Sequence, residues 1–174
     1  DLVLACCGDT PTLEILGAVT ILRQNIKDIK IRVINIVDLM KLQSDKQHPH
    51  GLSDDEYNEL FTISKPIIFA FHGYPNLIHQ LVYKRVNTNL HVHGYHEEGT
   101  ITTPFDMRVQ NKLDRYHLVI SALKYLPQFK EGEALTKWCL EKIEYHNHYI
   151  KENGIDIPEV INFDFNEEIK KAAN

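Results

Sequence analysis

Cysteine is scarce in this chain: Cys6, Cys7 and Cys139 are the only three among 174 residues. An odd, sparse set with two members adjacent excludes a disulfide framework and leads us to expect a reducing, cytoplasmic setting. Long apolar runs are missing too, none reaching the roughly 18 residues that a membrane-spanning helix needs. Positive charge is short: 19 Lys and Arg against 24 Asp and Glu give a net charge of −5 with neutral histidine. A broad nucleic-acid footprint needs a basic face, so that class is not expected. Gly8 stands alone in "CCGDTPT", without the further glycines of a dinucleotide loop or the Gly-Lys of a nucleotide-phosphate loop. A Gly-x-Ser-x-Gly elbow is also absent, and no nucleophile, base and orienting group stand in a readable order. No targeting segment is visible, and Asp1 leads directly into apolar sequence, so a piece of a longer polypeptide is expected.

What is present is an alternation of short apolar runs and helical patterns. A length of 174 residues suits one domain, with a core at about 1–154 and a docked or mobile tail at 155–174. "LVLACCG" (2–8) predicts a strand buried on both faces, which sends Cys6 and Cys7 to opposite sides. Asp9 or Thr10 caps the next helix, with Pro11 in its first turn, Glu14 near its positive end, and Leu13, Leu16, Ala18, Val19 and Leu22 facing inward. A second strand is expected over 29–42, a third over 65–73 and a fourth at about 90–95. Ser53 with Glu56 three residues on forms a capping box. A helix follows from Tyr74, with Leu77, Leu81 and Val82 inward. Thr103, Pro104 and Asp106 start what reads as the longest helix, running to about 125 on a stripe of Phe105, Val109, Leu113, Tyr116, Ile120 and Leu123. Residues 132–153 form one more, closed by Gly154. Strands alternating with helices predict an α/β fold of three layers, α/β/α, around a mostly parallel sheet.

Histidine is plentiful, with ten residues, and "HVHGYHEEGT" (91–100) holds three of them beside Glu97 and Glu98. His91 and His93 are two apart and share a face of a strand, the spacing of a zinc pair, with His96 or Glu98 as a third ligand. The alternative is a strand end whose imidazoles bond loop carbonyls, and without a second ligand pair no metal residues are expected. His48 and His50 flank Pro49 in a turn, and His72 and His79 bracket a helix start. In parallel sheets ligands bind beyond the carboxyl ends of the strands at a switch point. Those ends carry Gly8-Asp9, Asp38, His72-Gly73-Tyr74 and Glu97-Glu98. The crevice near Asp9, Thr10, His72 and Tyr74 is therefore the candidate site for an anionic effector.

Several strings carry a resemblance. "LACCGDTPTLEILGAV", "RVINIVDLMKLQ", "HPHGLSDDEYNELFT", "KPIIFAFHGYPNLIHQLVYKR", "NLHVHGYHEEGTITTPFDM" and "LDRYHLV" look like the C-terminal domain of bacterial xylulose 5-phosphate/fructose 6-phosphate phosphoketolases. The likeness is strong over about 1–126 and weaker to about 166. It implies a transketolase C-terminal-like fold with strands in the order second, first, third, fourth. An antiparallel strand that usually precedes them is missing here, which would leave the edge of the second strand exposed or paired with a neighbouring chain. The resemblance also implies that the whole enzyme is a carbon–carbon lyase using thiamine diphosphate and magnesium. It would convert a ketose phosphate and phosphate into acetyl phosphate and an aldose phosphate. The family's cofactor and substrate residues lie in two preceding domains at a homodimer interface, so no catalytic, cofactor-binding or metal residue carries over. The chain alone is expected to be inactive, with the preceding domains as its partners and Glu97 and Glu98 bonding one of them. An effector-binding regulatory module is the alternative.

Overall fold

Strand β1, Leu2–Cys7, is apolar at every position and occupies the middle of the sheet. A computed structural model describes residues 1–96, 99 and 101–164. Four parallel strands run in the order β2-β1-β3-β4 among the described residues, with β2 at Ile31–Asn35, β3 at Ile67–Phe71 and β4 at Leu90–Gly94. Leu4 pairs with Val33 on one side and Ile68 on the other, and Ile68 in turn pairs with His91.

Alternation along the strands builds two hydrophobic layers. Leu2, Leu4 and Cys6 join Ile68 and Ala70 on one face, under α1 (Asp9–Asn25), α4 (Pro104–Gln110), α5 (Arg115–Leu123) and α6 (Gly132–Asn153). Val3 and Ala5 join Ile67, Phe69 and Phe71 on the other, under α2 (Asp54–Phe61) and α3 (Pro75–Val82). Helices on both faces of a parallel sheet make the three-layer α/β/α architecture. Cys6 and Cys139 lie wholly inside, and burial pushes the Cys139 thiol up to about 12, so it behaves as a small hydrophobe.

Local chemistry sets most boundaries as expected. Ser53 and Glu56 complete a reciprocal capping box. Thr103 accepts from the Asp106 amide with Pro104 at the first turn, and Gly154, at φ 68, ends α6. Four expectations need correction. Gly8, at φ 106, is the N-cap of α1, and Asp9 already lies inside the helix. Leu13 and Leu77 face solvent, while Ile15 and Ile78 take the inward positions. The second strand ends at Asn35; Asp38 then caps a short 3-10 turn, Leu39–Leu42, by accepting from the Met40 amide. The single long helix after Thr103 is two helices. Lys112 turns left-handed at φ 55, and Asp114 restarts the chain by accepting from the Tyr116 and His117 amides. α6, with 22 residues, is the longest described helix.

The chain beyond α6 is docked as far as it is described. Ile157 is wholly buried, α7 (Pro158–Ile161) follows, and Lys142 pairs with Glu159 at 2.7 Å. Asp156 bonds the Thr103 hydroxyl and accepts from the Phe105 amide at 3.2 Å, fastening the tail to the start of α4. Replacing Asp156 with alanine removes a charge-assisted cap. It should cost about 1 kcal/mol in urea unfolding and make the 155–164 segment cut sooner by protease.

Candidate functional site

The strand order switches sides about β1, with β2 on one flank and β3 on the other, and the carboxyl ends of β1 and β3 frame the expected crevice. Asp9 Oδ1 accepts from the Thr10 amide at 2.7 Å and the Thr10 hydroxyl at 3.2 Å. These bonds, that to the Thr10 amide foremost, hold its carboxyl below the usual range. His72 brings Nδ1 to 3.6 Å from Asp9 Oδ1 and turns its ring edge toward Tyr95, with ring centres 5.4 Å apart. Asp9, Thr10 and His72 therefore meet. Tyr74 is about half exposed and pairs edge-on with His96 instead. An anion arriving at the start of α1 would meet the Asp9 carboxylate, already placed on the amide that such an anion would use.

The histidines of the 91–96 stretch are each engaged separately. His91 stacks on Tyr125 with ring centres 3.8 Å apart, and its Nε2 lies 2.8 Å from Asn89 Oδ1. His93 Nε2 lies 2.9 Å from Ser121 Oγ on α5. The His96 amide donates to Asn111 Oδ1 at 2.7 Å. His50 pairs with Asp38 at 3.0 Å. No three histidine, cysteine or carboxylate side chains gather to hold a metal ion among the described residues. Glu97 and Glu98 lie outside them.

Burial pushes His93 down to about 4, although a hydrogen bond with the Lys112 backbone works the other way. The unfolded chain protonates this residue near 6.5, whereas the folded domain resists until about 4. Stability is thus complete above about 6.5 and is lost as pH falls through that window, by about 3 kcal/mol from this group. Urea titrations at stepped pH should show the loss, and His93→Gln should flatten it.

Sequence reasoning did not find a buried carboxylate that accepts four hydrogen bonds. Glu14 is wholly buried on α1. Its Oε2 accepts from the Arg115 amide at 2.9 Å and from Arg115 Nε at 3.0 Å, and its Oε1 accepts from Arg115 Nη2 at 3.2 Å and from Arg108 Nη1. The break between α4 and α5 permits this. Arg115 is the first residue of α5, so its amide has no acceptor within the helix and is free to donate to Glu14. Gly17, one turn after Glu14, leaves the space: a Cβ there would lie 3.0 Å from Arg115 Nε. The Arg115 guanidinium also sits 4.1 Å from the centre of the Phe163 ring, so the docked tail closes over it.

Residues 1–165 match the family described as the XFP C-terminal domain. The chain belongs to the phosphoketolase C-terminal domain family. It is 58% identical over 164 residues to a probable phosphoketolase of Clostridium acetobutylicum, covering 94% of this chain and 21% of that protein. Probable phosphoketolases of Rhodopirellula baltica and Gloeobacter violaceus are 57% and 56% identical over 162 residues, each covering 92% of this chain and 20% of the relative. The chain thus spans about a fifth of the length of the curated relatives it matches. None of the described helices is long and apolar enough to cross a membrane.

A second polar centre of this phosphoketolase domain organises the opposite face of the sheet. Arg85 follows α3 and is almost wholly buried. It donates to the carbonyls of Leu42, Gln43 and Leu52 and pairs with Asp54 at 2.8 Å, while its guanidinium lies 4.2 Å from the centre of the Tyr57 ring. One side chain thus closes the loop between the 3-10 turn and α2. His146 on α6 is the exception among the buried polar groups of the described residues. Its ring nitrogens make no hydrogen bond, although Nε2 stands 3.3 Å from Asp106 Oδ1.

Proposed function

We propose that this domain is a non-catalytic structural and assembly unit of a phosphoketolase whose reaction is carried by the preceding part of the polypeptide. That reaction is the lyase conversion of a ketose phosphate and phosphate into acetyl phosphate and an aldose phosphate, in a cytoplasmic homodimer. One observation carries the reading: each buried carboxylate and guanidinium described here is bonded to another part of the same domain. Glu14 is held by Arg108 and Arg115, Arg85 by the 42–54 loop, Asp106 by Thr102 and Gln110, and Asp114 by the first turn of α5. Charges used in this way stabilise and orient the fold and are not free to meet a substrate.

The family implies thiamine diphosphate and magnesium in the whole enzyme. The described residues of this domain do not fit that pair. No set of three carboxylate, imidazole or thiol side chains converges on one point among them. Magnesium bound beside a diphosphate needs exposed carboxylate oxygens, and the buried carboxylates here are already taken by arginines, amides and hydroxyls. The proposal places both groups upstream.

Assaying the isolated chain for acetyl phosphate, with ketose phosphate, phosphate, thiamine diphosphate and magnesium supplied, tests the reading. The expected result is no product from a chain that still melts cooperatively. Turnover by this chain alone would overturn it. Removal of the domain from the full-length protein should in turn lower its thermal stability or dissociate its oligomer.

A further inference from the structure

At the end of the sheet opposite the crevice, the starts of β1 and β2 frame an open cleft of about 500 Å3. Leu2, Val3, Ile29 and Ile31 line it as an apolar floor. Arg23, Lys30, Arg32 and Lys65 stand around it, all exposed. None of these four cations has a carboxylate partner among the described residues, although the chain as a whole carries a net charge of −5. Arg32 is pinned in place by donating to the carbonyls of Glu59 and Leu60 at the end of α2. Asp1, whose carboxylate accepts from the Lys30 amide at 2.9 Å, lines the same cleft.

We propose that this cleft docks an acidic segment from the preceding part of the same polypeptide. That segment sets an apolar side chain on the Leu2–Ile31 floor and carboxylates against Arg23, Lys30, Arg32 and Lys65. The proposal rests on the domain being the C-terminal fifth of a longer phosphoketolase. In relatives about five times as long as this chain, most of the polypeptide lies outside the domain. Charge complementarity fixes the chemistry of the occupant, and the floor asks for apolar contact between the charges. A small anion is the poorer fit: the buried residues of the cleft are all apolar, so no sheltered donor points into it.

The test uses the full-length protein carrying Lys30→Glu and Lys65→Glu together. Neither side chain bonds another described residue, so the isolated domain with both changes should melt at the wild-type temperature. In the full-length protein the peptide leading into Asp1 should be cut about tenfold faster by a dilute protease. Raising the ionic strength about tenfold should speed cleavage of the wild type toward that of the variant and leave the variant little changed. Equal cleavage of variant and wild type overturns the proposal. Should the double charge reversal unfold the isolated domain, Lys30→Gln with Lys65→Gln repeats the comparison, with about threefold faster cleavage expected and equal rates again decisive against the cleft. The outcome is separable from the domain reading itself: an isolated chain that makes acetyl phosphate sinks that reading whatever the protease shows, while an inert chain with equal cleavage sinks only the docking site.

Discussion

Glu14→Ala should lower stability by about 4 kcal/mol, because it strands two buried guanidinium groups with no counter-charge. In a domain of this size that corresponds to a fall of about 10 °C in the melting midpoint. The two arginines belong to different helices, so the loss acts on more than one contact: Glu14 also accepts the Arg115 amide at the first turn of α5, leaving that donor orphaned as well. Glu14→Gln keeps an acceptor for the amide but loses the charge, and should fall between wild type and alanine. Replacing Glu14, Arg108 and Arg115 together by leucine should cost less than Glu14→Ala alone, since no unpaired charge then remains inside. Calorimetry of the four proteins gives the ranking. A loss below about 1 kcal/mol for Glu14→Ala would show that the arginines find water or other partners when released.

Arg85→Ala should cost about 3 kcal/mol, and most of the effect should be local. Three carbonyls and one carboxylate lose their donor, and the Tyr57 ring loses its cation. Amide exchange in the 43–54 segment should accelerate far more than in β1 or β3, because the sheet does not depend on this side chain. Arg85→Lys should recover little, since one ammonium cannot span four acceptors that the planar fork reaches. Exchange that rises equally in strands and loop would show instead that Arg85 supports the whole fold.

The sheet was legible because β1 is apolar at six consecutive positions, which few places other than a doubly covered strand accommodate. Caps were legible wherever the chemistry is local, as at Ser53 with Glu56 or Thr103 with Asp106. The division of α4 from α5 was not. Phe105, Val109, Leu113, Tyr116 and Leu123 keep helical spacing across the break and all end in one hydrophobic layer. The missed signal was Asp114, a strong N-cap type one residue before Arg115. Glu14 looked like a partner for the helix dipole because its arginines are 94 and 101 residues away, and no local window contains them. At the crevice, the strand-end rule brought Asp9, Thr10 and His72 together, but it cannot orient a side chain such as Tyr74, whose neighbour is His96.

The first strand in the chain is also one of the two inner ones. Shortening the domain from its front by six residues would therefore not trim a margin. It would pull out the sheet's spine, part β2 from β3, and open both oily interiors to water at once. A boundary for expressing this unit by itself has to be drawn ahead of Leu2, whatever is done at its other end.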